Sequence, residues 1–266
     1  MTIHPLLSTD LASIPGFQPS GWGEILSIHT FYTRHNFCFP LKVVIDDTIA
    51  GIGTCIVHND VAWLGHIIVH PDFRNKGIGG FITQNLIDVA KSKSCTTTYL
   101  VATDMGKPVY SKLGFETDTE YLFFKDITPN AAWSSSVDIV KYLPEYYPQI
   151  AVIDKFISGE ERMFHLDLFL DNAAVHLTND ELDGFYLPDF GDGMIQATNS
   201  VAGIALMKFR LSKKDNAVFP VDNVSAADFM KQNGFQEFRR ASRMRLGVKR
   251  NVNLQYIYSR IGGNLG

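Results

Sequence analysis

The chain has 266 residues, 45% of them hydrophobic and 20% charged, with a formal net charge of −4. That length holds one large domain or two of ordinary size, each with a real core, and the balance is that of an ordinary globular protein. No basic excess points to nucleic acid, no apolar run nears the ~20 residues of a membrane span, and Met1-Thr-Ile-His-Pro5 lacks the basic and apolar regions of a signal peptide, so the expected location is cytoplasmic, away from membrane and nucleic acid.

Turn residues Pro15, Gly16, Pro19, Gly21 and Gly23 separate two helical stretches, the second predicted over 22–35. Trp22, between two glycines, either lines a pocket or pins that helix to the core. Strands are predicted over 42–46 and 49–58, joined at Asp46-Asp47, and Asn59-Asp60 is a hairpin signal leading into a third strand over 61–69. The three cysteines, Cys38, Cys55 and Cys95, have neither C-x-x-C nor Cys/His ligand spacing, so they are expected to be reduced packing residues, with no metal bound.

The third strand feeds the stretch that organises the chain, His66-Ile-Ile-Val-His-Pro71-Asp-Phe-Arg74-Asn-Lys-Gly77-Ile-Gly79-Gly80. Pro71 cannot donate to a ladder and ends the strand. From Ile78 the apolar residues Phe81, Ile82, Leu86 and Val89 recur at helical spacing. A helix that begins at glycines leaves its first amides unpaired and carries a positive partial charge there, so a diphosphate can approach the amides of residues 75 to 80, with Arg74 and Lys76 adding full charges. The Walker loop needs a Lys that is absent after these glycines, and the dinucleotide fingerprint needs Gly or Ala where Ile82 stands.

What fits is R-x-x-G-x-G after a V-x-P strand end, which resembles the coenzyme A loop of the GNAT superfamily of N-acetyltransferases. A β-branched strand over 96–103, a short helix over 104–113 and a closing strand over 115–125 follow. Their junction, Pro108-Val-Tyr110-Ser-Lys-Leu-Gly114-Phe115, is similar to the Y-x-x-x-G-F signature that closes a GNAT domain. The resemblance covers residues 1–125. It implies an α/β (α+β) GNAT fold, a mostly antiparallel sheet with a central parallel strand pair flanked by helices, and acetyl-CoA as co-substrate.

It further implies that Ile67, Ile68, Val69, Arg74, Asn75, Lys76, Gly77, Ile78, Gly79 and Gly80 hold the coenzyme. A backbone N–H near Ile68 or Val69 would meet the thioester oxygen, and Tyr110 would protonate the departing thiolate. The general base stays open among His66, His70, Glu24 and an ordered water. His66 and His70 are expected on one strand face by the period of two, and Trp22, Glu24 and His66 are the candidate acceptor-site residues. The implied activity is acetyl transfer to a primary amine of a small molecule or peptide; the alternative is a non-catalytic acyl-CoA sensor.

Thr128-Pro129-Asn130 and Ser134-Ser-Ser136 form a polar break, so the expected domains are 1–127 and 137–266 with a linker at 128–136. In the second half, helices are predicted over 143–157, 160–170, 201–211 and 224–233, with strands over 173–177, 183–187, 193–198 and 217–220. Asp228-Phe-Met230-Lys-Gln-Asn-Gly234-Phe235 echoes the signature around Tyr110 with Met230 in the tyrosine's place, so this half resembles a degenerate GNAT module without acid or phosphate loop. Asp180, Glu181, Asp183, Asp189 and Asp192 around Tyr186 and Phe190 read as a solvated acidic surface before a cation pocket, and Arg239, Arg240, Arg243, Arg245, Lys249 and Arg250 as a solvated strand face.

Overall fold

The computed structural model describes residues 1–19, 21–134 and 136–266; Ser135, inside the expected linker, lies outside the described residues. Two compact units divide the chain. The first comprises residues 1–116, 244–249 and 263–265, the second 117–243, 250–262 and 266. This partition differs from the expected 1–127 and 137–266: the strand following Tyr110 lies almost wholly in the second unit, and two short segments from the chain's far end join the first.

The first unit runs β1 (Thr2–Pro5), α1 (Leu26–Tyr32), β2 (Cys38–Ile45), β3 (Thr48–His58), β4 (Val61–Val69), α2 (Ile78–Ser92), β5 (Thr97–Ala102) and α3 (Lys107–Lys112). The strands lie in the order β1-β2-β3-β4-β5, antiparallel except for the parallel β4–β5 pair. Helix α2 packs on β3 and β4, with Ile78, Ile82 and Leu86 buried in the main core. Two strand glycines make the room: a Cβ on Gly51 would lie 2.7 Å from Ile82 Cδ1, and one on Gly53 would lie 2.7 Å from Ile82 Cγ2. The predicted helix over 22–35 shrinks to α1, because the Glu24 carboxylate accepts from the Leu26 and Ser27 amides and so starts the helix only there.

On the far edge of β5, residues 244–249 lie alongside. The Val248 amide donates to the Thr96 carbonyl at 3.0 Å and the Thr97 hydroxyl to the Val248 carbonyl at 2.8 Å. Gly247 is left-handed at φ +92°, and any side chain there would collide with the Thr96 carbonyl oxygen.

The second unit contains β6 (Glu116–Phe124), β7 (Ile139–Lys141), α4 (Tyr147–Ser158), α5 (Met163–Leu166), β8 (Ala174–Thr178), β9 (Glu181–Leu187) and β10 (Met194–Ala197). It continues with α6 (Ser200–Leu211), β11 (Ala217–Pro220), α7 (Val224–Gln232), β12 (Glu237–Gly247), whose last residues belong to the first unit, and β13 (Ile257–Ser259). A five-stranded sheet is ordered β13-β10-β9-β8-β7, and β11 pairs antiparallel with β6. Helices α6 and α7 bury Leu206, Met207, Phe229 and Met230 in a common core. The helix predicted over 143–157 begins only at Tyr147, after the 3₁₀ turn Pro144–Tyr146, and the one over 160–170 is a single turn, α5, followed by another 3₁₀ turn.

Two surface readings change. Asp183 accepts from His176, Thr178 and Asn199 at 2.7–2.8 Å, while Tyr186 and Phe190 are buried, so this acidic run is internal structure in part. Arg243 is 2% exposed, with Asp118 at 3.4 Å, because its side chain falls on the inner face of β12.

Candidate active site

Strand β4 carries an irregularity that its sequence hides. Ile68 pairs with Ile52 and Gly65 with Thr54, so one residue on β3, Gly53, is matched by two on β4, His66 and Ile67, and His66 adopts φ +50°. This is a β-bulge. It breaks the period of two on which His66 and His70 were expected to share a face. His66 packs edge-on against Trp22, His29 and Tyr32, at ring separations of 5.9, 5.4 and 5.6 Å, whereas His70 sits between Phe17 and Phe73 and its Nδ1 accepts from the Asp72 amide.

Pairing between β4 and β5 ends at Leu64 and Leu100, although both strands continue. Beyond that point β4 keeps β3 as its partner on one side only. The His70 amide donates to the Ala50 carbonyl at 3.0 Å on the β3 side. Successive amides alternate sides along a strand, so the Ile68 amide also faces β3 and the Val69 amide faces the edge that β5 has left. Of the two residues expected to offer an oxyanion donor, Val69 has the free direction. Arg74 folds back over this edge, its Nε 3.4 Å from the Val69 carbonyl.

The glycine loop then opens α2. Asn75 and Gly77 are both left-handed, at φ +62° and +77°. Gly77 is the helix N-cap and supplies no side-chain cap, and the Phe81 amide, 3.1 Å from the Gly77 carbonyl, makes the first helical bond. The amides of Ile78, Gly79 and Gly80 are therefore the orphan donors of a helix start. A Cβ on Gly77 would meet nothing within 4 Å, and one on Gly79 or Gly80 would have its nearest neighbour at 3.8 Å, so the space over these amides is open. Arg74, Asn75 and Lys76 are exposed beside it. Unpaired donors, room for an anion and two cations suit a coenzyme diphosphate.

Tyr110 stands in α3, packed edge-on against Phe115 at 6.2 Å and against Gly106, where a Cβ would lie 2.9 Å from its Cε2. Its hydroxyl has no hydrogen-bond partner among the described residues, and burial pushes its pKa up to about 12, which keeps the phenol protonated.

The acceptor-site candidates fall together with one that sequence reasoning missed. Trp22 is 43% exposed and touches His66, so it neither pins α1 nor stands alone. Glu24 is committed to capping α1, and its bonds to the Ser27 amide lower its pKa, which makes it a weak base. His66 Nδ1 lies 2.9 Å from the Tyr32 hydroxyl, which also receives the Asn264 side-chain amide at 2.7 Å. Burial, with His29 adjacent, pushes the His66 pKa down to about 3, so the imidazole is neutral near pH 7 and a poor proton acceptor. Asn264 carried no local signal, because its partners are distant in the chain. Burial also raises the thiols of Cys38 and Cys95 to about 12 and 11, and that of Cys55 further still, which leaves no ready thiolate for an acyl-enzyme. Among the described residues no group of three or more His, Cys, Asp or Glu could hold a metal, and no helix is long and apolar enough to cross a membrane.

Residues 9–115 match the acetyltransferase (GNAT) family model, ending just before the first unit's N-terminal segment does. The chain carries a GNAT acetyltransferase domain. Over these residues it has the GNAT fold, that of an acyltransferase family that uses acetyl-CoA as co-substrate. The ribosomal protein bS18-alanine N-acetyltransferase of Salmonella typhimurium is 29% identical over 129 residues, covering 44% of this chain and 82% of that enzyme. A solved structure from Pyrococcus horikoshii shares the fold over 100% of this chain and 95% of its own, with a TM-score of 0.82 at 20% identity. The tandem GNAT protein from the clavulanic acid biosynthesis pathway covers 94% of this chain and 99% of its own, at a TM-score of 0.55 and 14% identity, in keeping with a two-domain fold.

The second unit repeats the signature without its opening. The Phe235 amide donates to the Met230 carbonyl at 3.0 Å as the Phe115 amide does to Tyr110 at 3.1 Å, and Gly234 and Gly114 are both left-handed. Met230, however, is fully buried. The α6 start is closed by its own Asn199, whose side chain accepts from the Ala202 amide at 2.9 Å, and β13 pairs along β10 while the Arg260 amide, just past its end, donates to the Val218 carbonyl of β11 at 3.0 Å. A strand of the chain itself fills the position between β10 and β11.

Proposed function

We propose that the first unit transfers the acetyl group of acetyl-CoA to a primary amine, of a small molecule or a peptide end, by direct attack in a ternary complex. The observation that carries this reading is the uncapped, left-handed start of α2 at Gly77, open on its outer side and set directly after the β4 edge that β5 has left. Acetyl-CoA supplies an activated acyl thioester. The amides of residues 78–80, with Arg74 and Lys76, hold its diphosphate, and Ile67, Ile68 and Val69 line its path along β4. The Val69 N–H donates to the carbonyl oxygen as that oxygen gains charge, the role in which a preorganised donor is worth most. The Tyr110 phenol gives its proton to the departing sulfur, a contribution of about 10²-fold.

The second unit takes no part in coenzyme binding, since its helix start is capped and its cleft filled. The Salmonella relative acts on the alanine of a ribosomal protein, which supports testing peptides with a free N-terminal alanine first. Release of coenzyme A on mixing acetyl-CoA with a panel of amines tests the assignment. Tyr110→Phe is expected to lower kcat at least about tenfold while Kd for acetyl-CoA, by calorimetry, stays within about twofold. Unchanged turnover removes Tyr110 from the chemistry, and absence of acetyl-CoA binding by the wild-type chain ends the reading altogether.

A further inference from the structure

The His66 cluster contains one decision that hydrogen-bond accounting resolves. Tyr32 is 1% exposed, and its hydroxyl has two neighbours, Asn264 Nδ2 at 2.7 Å and His66 Nδ1 at 2.9 Å. A hydroxyl owns one proton. The oxygen could accept from both, but then the sealed O–H would have no acceptor among the described residues; with the Asn264 amide donating, the O–H therefore donates to His66 Nδ1, and the neutral imidazole carries its own proton on Nε2. Among the described residues Nε2 of His66 has no partner and is not one of the sealed polar atoms. His29, alongside, is set the other way: its Nδ1 lies 2.7 Å from the Ile25 carbonyl, which can only accept, so its sealed Nε2 is a bare acceptor. The Asn264 backbone packs on Gly65, next to His66, and this fixes the amide's position.

We propose that Asn264 is a positioning residue that sets the His66 tautomer through Tyr32, so that the site offers an Nε2–H donor and selects amines bearing a hydrogen-bond-accepting oxygen close to the nitrogen. The donor half of this inference stands on geometry alone; the selection half rests on the acetyl-transfer reading above. An N-terminal residue, whose own carbonyl lies two bonds from its amine, has the required chemistry, and a plain alkylamine does not. The charged or titratable groups facing His66 are His29 and Tyr32 from α1, with Glu24 turned to the α1 start.

Long-range 15N–1H spectra of the full chain without coenzyme, with His66 assigned by its loss in His66→Gln, read the tautomer directly. The wild type is expected to show Nε2 protonated and Nδ1 bare. Asn264→Asp places a carboxylate that only accepts, which draws the Tyr32 proton away and shifts the His66 proton to Nδ1. Tyr32→Phe removes the donor altogether, so the two tautomers mix, and it serves as the check should Asn264→Asp fail to fold. A wild-type imidazole protonated on Nδ1, or a tautomer indifferent to both substitutions, overturns the proposal. For selection, wild-type kcat/KM is expected to favour alaninamide over isobutylamine at least about tenfold, with the preference lost in Asn264→Asp. Equal rates in the wild type overturn the selection, while failure to turn over any amine strikes the acetyl-transfer reading and leaves the spectra to judge the tautomer.

Discussion

Gly65 in β4 and Asn264 in the C-terminal segment are in direct contact: a Cβ on Gly65 would lie only 2.8 Å from the Asn264 Cα, closer than real Cβ atoms come to backbone. Backbone cannot rotate aside as a side chain can, so Gly65→Ala must push residues 263–265 away from β4. Overpacking of this kind costs about 1–3 kcal/mol. We expect a lower denaturant midpoint and a His66 spectrum altered in the same direction as Tyr32→Phe. An unchanged midpoint would show that the segment yields freely.

The glycine at the head of α2 gives the sharpest separation of binding from folding. Gly77 sits at φ +77° with open space around it, so a side chain there is strained by backbone conformation and intrudes only on what the amides would hold. Gly77→Val is expected to cost about 1–3 kcal/mol of stability and to raise Kd for acetyl-CoA by at least about tenfold, measured by calorimetry. Affinity that survives would place the diphosphate elsewhere.

Acid should weaken the fold through His66. Its pKa is pushed down to about 3 by burial, against 6.5 for an ordinary imidazole, so the unfolded chain takes up a proton at a pH where the folded one does not. The stability tied to its neutral form is whole above pH 6.5 and is lost progressively as the pH falls toward 3. One such proton contributes a slope of about 1.4 kcal/mol per pH unit. Urea unfolding of the wild type and His66→Gln at about pH 7.5 and about pH 5 should show a shallower decline in the variant; identical slopes would mean that His66 is solvated.

Expression of residues 1–127 alone should fail to give a stable protein. The cut leaves β5 without residues 244–249, whose Val248 amide and carbonyl bond to Thr96 and Thr97, and exposes an apolar strand edge of the kind that pairs with other chains. Aggregation on purification, relieved when the whole chain is made, is the expected outcome; a monomeric fragment that unfolds cooperatively would contradict it.

Local chemistry explains which parts of this architecture were legible. The strand over 61–69, the proline stop, the glycine loop and the amphipathic α2 each follow from residues adjacent in sequence, and so does the repeated Gly-Phe helix end at Gly114 and Gly234. The bulge at His66 did not show, because nothing in His66-Ile67-Ile68 announces an extra residue until β3 supplies the count. Glu24 read as a base because a carboxylate before a helix serves equally as a cap, and the structure uses it as one. Strand β1, with three of its four residues exposed, had no apolar signature, and the partners of Thr97 and Tyr32 come from the far end of the chain.

That last point decides where the sequence can be trimmed. Residues 244–249 lie along β5, and residue 264 sits against Gly65 with its side chain on the Tyr32 hydroxyl. A deletion that removes them takes away a strand neighbour and a pocket residue of the N-terminal fold, so its far-off sequence is as much a part of that fold as the strands beside it.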